Sequence, residues 1–156
     1  MADRQSANLS ITYRDMNTSP SLMPRMTDER FTALIDSLAR LLRKDLIATS
    51  GPIYDASRRV WNAGIDRHPG VVAFCEKTDD VRDVVRAARK FNVSLSVRGG
   101  GHDWSGRAVQ GELVIDLSRM RQVSVEDETA TISGGALTRD VVETTSPLGL
   151  CAVTGI

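Results

Sequence analysis

Val93-Ser94-Leu95-Ser96-Val97-Arg98-Gly99-Gly100-Gly101-His102-Asp103 sets an alternating run directly against three consecutive glycines and one of the chain's two histidines. Apolar residues at 93, 95 and 97 with serines between them have the period of two of a half-buried strand, the apolar side chains facing a core. The strand would deliver the glycines to a sheet edge. Without a Cβ, three glycines in a row let backbone N–H groups converge on an anion in conformations that other residues reach only with strain, so the loop reads as a diphosphate cradle that presents an imidazole. Spacing excludes two familiar nucleotide loops. No Gly-Lys-Ser/Thr follows, and the third glycine of Gly-x-Gly-x-x-Gly would fall on Trp104. A second reading, a turn without ligand and a surface histidine, stays open on these residues alone.

Upstream, Pro69-Gly70 introduces a strand from Val71 to Cys75, and Thr78 reads as the cap of a helix. In that helix Val81, Val84, Val85 and Ala88 form one apolar face, Asp79 and Asp80 suit the amino terminus, Arg86, Arg89 and Lys90 suit the carboxyl terminus, and Asn92 is the stop. The resulting strand, helix, strand unit ends in the glycine loop. That places the loop at the carboxyl end of a strand, where open α/β sheets bind ligands. Downstream, Leu113 to Ile115 and Val123 to Val125 read as strands, Glu126-Asp127-Glu128 as a turn, Thr129 to Ile132 as a return strand, and Leu137 to Thr145 as a helix. Ser133-Gly134-Gly135 either presents amides at that helix's start or forms a tight connection.

Near the start, residues 1 to 26 are polar and carry Pro20 and Pro24, which predicts an irregular leader. Thr27 then caps a helix over 27–50, with Asp28 and Glu29 in its first turn and Phe31, Leu34, Ile35, Leu38, Leu41 and Leu42 as a core-facing stripe. The same stripe would also serve as a partner-binding face. Between Ser50-Gly51-Pro52 and Pro69, Tyr54 to Asn62 reads as short helix or loop.

Composition bounds the function. With 41% hydrophobic and 26% charged residues, the chain has the make-up of a globular domain, and 20 Lys+Arg balance 20 Asp+Glu without a basic cluster, which argues against nucleic acid. No apolar segment reads as a membrane span. The first residues lack a signal peptide's apolar stretch, so the expected location is the cytoplasm. Cys75 and Cys151 have no metal-ligand spacing and read as reduced, partly buried small hydrophobes, and no metal site is expected.

Six landmarks stand in one order: Trp61-Asn62, the strand from Val71, the helix from Asp79, Arg98-Gly-Gly-Gly-His102, Ile115-Asp-Leu-Ser118 and Gly134-Gly135-Ala136. On them the chain, from about Tyr54 to Ile156, resembles the amino-terminal part of the FAD-binding domain of p-cresol methylhydroxylase type, and specifically the berberine-bridge-enzyme-like FAD-linked oxidases. The resemblance implies an α+β fold: a small strand-helix-strand subdomain plus the start of a second subdomain, over 54–156 and incomplete at the carboxyl end. It implies FAD as cofactor, joined covalently to His102 through the methyl carbon of the flavin's benzenoid ring, with Arg98, Gly99, Gly100, Gly101, Asp103, Gly135 and Gly155 in the cofactor site. Arg98 is open to two readings, charge complement to the diphosphate or solvated surface group.

By the same resemblance, an organic substrate passes hydride to the flavin and oxygen takes the electrons. A separate substrate domain supplies the general base, so no base is assigned here; His68 reads as a loop residue, and Asp103 and Asp116 as structural rather than catalytic. Some relatives tether flavin a second time through cysteine, but register puts Cys151 where relatives without that bond carry alanine. Two alternatives remain: a nucleotide-binding or interaction module without enzymatic activity, and an inactive truncated gene product.

Overall fold

The computed structural model describes residues 28–153. The leader over 1–26, the cap at Thr27 and the site residue Gly155 lie outside the described residues.

Helix α1 (Asp28–Leu41) buries Leu34 and Leu38 completely, and Leu42 just beyond it, with Phe31 and Ile35 packed alongside. Leu41, expected on the same stripe, is 46% exposed, because the helix ends there and Leu42 takes the inward position. The helix does not run to residue 50. Arg43-Lys44-Asp45 interrupts the apolar spacing, Arg43 is extended, and a 3-10 turn (Lys44–Leu46) leads into a two-residue strand, β1 (Ile47–Ala48). Helix α2 (Gly51–Ser57) follows, with proline in its first turn and buried Tyr54 donating its hydroxyl to the Pro69 carbonyl at 2.7 Å.

Strand β2 (Val71–Phe74) is buried at every position and leads through α3 (Thr78–Phe91) to β3 (Leu95–Arg98). Strand β4 (Leu113–Asp116), equally buried, inserts between them, so the sheet runs β1-β2-β4-β3 with β2, β4 and β3 parallel and β1 antiparallel. Continuous apolar runs such as Val71–Phe74 are what a parallel sheet covered on both faces demands. Thr78 is the first helical residue and not the cap. The Asp80 carboxylate reaches back instead, accepting the N–H groups of Glu76 at 3.0 Å and Lys77 at 3.2 Å. Asn92 stops the helix in the left-handed region at φ 48°.

The phase of β3 is the reverse of the expected one. Leu95 and Val97 are exposed at 36% and 51%, while Ser96 is buried. Gly111 explains it: its N–H donates to Ser96 Oγ at 3.1 Å, and a Cβ there would stand 2.6 Å from the Ser96 nitrogen. So close an approach of backbones leaves room only for a small side chain on that face of the edge strand.

Strands β5 (Val123–Glu126) and β6 (Thr129–Ile132) form a separate antiparallel hairpin, with Asp127 at φ 53° in its turn, and α4 (Thr138–Thr145) packs against β5. Asp140 ties α4 to the preceding chain, accepting the Leu137 N–H at 2.8 Å and two N–H groups of Arg121. The Arg121 guanidinium, then the Leu137 amide, lower its carboxyl to about 2. A carboxyl lowered on folding lends stability that is complete above its unfolded value of about 3.9 and is lost as pH falls through its folded one. Carboxyl NMR is therefore expected to show Asp140 titrating near 2, with the Leu137 amide shift following it; a midpoint near 4 would contradict the pairing.

Among the described residues no helix is long and apolar enough to cross a membrane, and no cluster of three His, Cys, Asp or Glu is placed to hold a metal ion.

Candidate functional site

Register sets Phe74, Asp116 and Arg98 side by side at the carboxyl ends of β2, β4 and β3. The glycine loop leaves the sheet from the last of these. Beneath it, Arg98 is held from two sides. Its Nη1 donates to Asp116 Oδ2 at 2.9 Å, and its Nε and Nη2 donate to the Arg59 carbonyl at 3.2 and 3.1 Å. Asp116 is fully buried, and its Oδ1 accepts the Ser118 N–H at 2.8 Å. The Arg98 guanidinium thus serves as an internal strut joining three segments, with its side chain only 14% exposed.

Gly101 turns the loop at φ 74°, lying over the Arg98 guanidinium so closely that a Cβ would stand 2.9 Å from Nη2. Its carbonyl accepts the N–H groups of Trp61 at 2.7 Å and Asp103 at 2.9 Å. The Asp103 carboxylate closes the far side of the loop, accepting Ser105 N–H at 2.9 Å and Ala108 N–H at 2.7 Å. Burial pushes that carboxyl up, but the amides of Ala108 and Ser105 outweigh it and hold it below the usual range. By contrast, the N–H groups of Gly99, Gly100, Gly101 and His102 are given to no acceptor among the described residues. Four successive amides without an acceptor are donors of the kind an anion takes up.

The second glycine segment lies against the first: a Cβ on Gly99 would stand 2.9 Å from the Gly134 carbonyl. Gly135 is packed closer still, its N–H bonded to the Met120 carbonyl at 3.0 Å and its missing Cβ 1.6 Å from the Leu117 oxygen. Close backbone packing, with its amide already spent, is the role this geometry gives Gly135. Beside the loop, His102 is exposed and meets Trp61 edge-on, ring centroids 5.9 Å apart and planes at 61°. Trp61 in turn lies 5.1 Å from Trp104. Sequence reasoning had Trp61-Asn62 as a landmark but not this contact, which spans 41 positions and leaves no local pattern.

The remaining titratable groups stand apart. His68 is an exposed partner of Asp66 at 3.2 Å. Cys75 is fully buried and burial pushes its thiol up to about 12, whereas Cys151 is exposed rather than partly buried.

The description "FAD binding domain" matches residues 69–154, more than half of the chain. Among characterised relatives, (R)-6-hydroxynicotine oxidase of Paenarthrobacter nicotinovorans is 34% identical over 106 residues, 66% of this chain and 23% of that protein. The crystal structure of 6-hydroxy-D-nicotine oxidase from Arthrobacter nicotinovorans superposes with a TM-score of 0.66 at 31% identity, over 73% of this chain and 27% of that one. p-Cresol methylhydroxylase, at 15% identity, shares the fold with a TM-score of 0.68 over 81% of this chain and 26% of its own. The chain thus spans about a quarter of the length of these relatives. A sheet that ends in a glycine loop of unspent amides, a second glycine segment laid against it and these likenesses converge: the chain belongs to the FAD binding domain family.

Proposed function

We propose that the amides of Gly99, Gly100, Gly101 and His102 hold the diphosphate of FAD, and that the His102 imidazole is joined covalently to the flavin. The observation that carries this reading is the run of four unspent N–H groups ending at an exposed imidazole. The loop fits the group. Gly100 is exposed, and the nearest atom to a Cβ there would be Leu137 Cδ2 at 3.8 Å, so the middle of the loop is open on that side.

When bound, FAD supplies the redox chemistry, accepting hydride from a small organic substrate and returning electrons to oxygen. The chain's own residues bind and orient it. Arg98, fixed by Asp116 and the Arg59 carbonyl, props the loop from beneath; Asp103 holds its far side; Gly99 and Gly135 permit the close approach of the second glycine segment. His102 supplies a ring nitrogen as the nucleophile. A small organic substrate is supported by the relative named for oxidation of 6-hydroxynicotine.

Intact mass under denaturing conditions tests the reading. The wild-type chain is expected to keep one FAD through denaturation, and His102→Ala to lose all denaturation-resistant flavin while retaining reversible binding. A full covalent load on His102→Ala would remove His102 as the anchor.

A further inference from the structure

We propose that Trp61 is the positioning residue for His102, orienting its imidazole for attachment to the flavin. This role rests on the reading of His102 as the flavin anchor.

Among the described residues the His102 ring makes no hydrogen bond, and its one directional contact is with Trp61. An exposed histidine without a hydrogen-bonded partner turns freely about two side-chain torsions, and only a fraction of its orientations aim a ring nitrogen at a fixed carbon. The indole removes that freedom. At 61° between planes and 5.9 Å between centroids, the pair has the edge-to-face arrangement that aromatic quadrupoles favour.

Trp61 is itself well anchored. Its backbone N–H bonds the Gly101 carbonyl at 2.7 Å, one residue before His102, so the indole and the imidazole share one frame. Asn62 Nδ2 bonds the Trp104 carbonyl at 2.9 Å on the other side, and the Trp104 ring braces Trp61 at 5.1 Å. Core packing does not explain these indoles, because Trp61 is 62% and Trp104 64% exposed. Two large apolar rings held open to solvent beside one imidazole indicate a site.

Attachment forms one bond from an imidazole nitrogen to the flavin's methyl carbon and breaks one N–H and one C–H bond. The two protons and two electrons released leave on molecular oxygen as hydrogen peroxide. Orientation of the nitrogen limits such a step, and small misplacement slows it steeply.

The test follows, over time, denaturation-resistant flavin on the full chain made under riboflavin limitation and then given FAD, read by intact mass and in-gel fluorescence. Trp61→Ala and Trp61→Leu are each expected to slow attachment about tenfold, with reversible FAD affinity within about twofold of wild type. Trp61→Phe, which restores an aromatic face, is expected to recover most of the rate. Attachment at the wild-type rate in both Trp61→Ala and Trp61→Leu overturns the proposal, as does a parallel loss of reversible binding, which would mark a merely structural role. Should one of the two variants not fold, the contrast between the other and Trp61→Phe decides. Covalent flavin on His102→Ala, or none on wild type, overturns the anchor reading and this role with it; a wild-type rate in the Trp61 variants alone overturns only this role.

Discussion

Alanine at position 135 is expected to destabilise the chain by about 3 kcal/mol or more, whereas alanine at the neighbouring position 134 costs under about 1 kcal/mol. The difference lies in what each new methyl meets. At Gly135 the Cβ would stand 1.6 Å from the Leu117 carbonyl oxygen, 2.4 Å from its carbon and 3.0 Å from the Met120 oxygen, all backbone. Relief requires two chain segments to separate, which stretches the hydrogen bond from Gly135 N–H to Met120. At Gly134 the nearest atom is Leu117 Cδ1 at 2.9 Å, the free end of a side chain that rotates away. Urea unfolding of the two variants side by side checks it. Equal midpoints would mean that the 117–120 turn yields more easily than its packing indicates.

Asp116→Ala is expected to cost about 3–5 kcal/mol, because it strands the Arg98 guanidinium inside the sheet end. Asp116 is fully buried and Arg98 nearly so, and removing one partner of such a pair leaves a buried charge without compensation. Against a total stability of about 5–15 kcal/mol, the single variant is close to the threshold of folding. Replacing both partners with apolar residues of similar volume is expected to restore a large part of the loss, since the pair's attraction only offsets its own desolvation. The glycine loop would not be restored, because Arg98 also holds the Arg59 carbonyl. Urea midpoints for Asp116→Ala and for Arg98→Met with Asp116→Leu check both parts; a single variant within about 1 kcal/mol of wild type would refute the stranded-charge argument.

Much of the fold was legible because it is written locally. The helix from Thr78 to Phe91 follows from apolar spacing at 81, 84, 85 and 88, and Asn92 stops it because asparagine tolerates the left-handed region. The hairpin at 123–132 follows from alternation around an acidic turn. Strand β1 was not legible, since two residues carry no period and its pairing with Val72 and Ala73 is long-range. Nor was the phase of β3. Alternation tells which residues share a face but not which face is covered, and here Gly111 decided that Ser96 goes inward.

At the site, the glycine loop and the histidine that follows it were legible in the sequence because they are chain neighbours. The strut beneath them was not. Arg98 and Asp116 are 18 positions apart and meet because the parallel register of β3 and β4 pairs them. Trp61 reaches His102 because the loop after α2 folds back onto Gly101.

By itself, then, the sequence determined the longer elements from Val71 onward and the chemical types at the loop, because spacing, glycine freedom and imidazole chemistry are properties of neighbouring residues. Only the tertiary structure decided which face of β3 is buried, which side chains spend themselves inside the protein and which aromatic ring meets the histidine, because those depend on register between segments that sequence distance does not reveal.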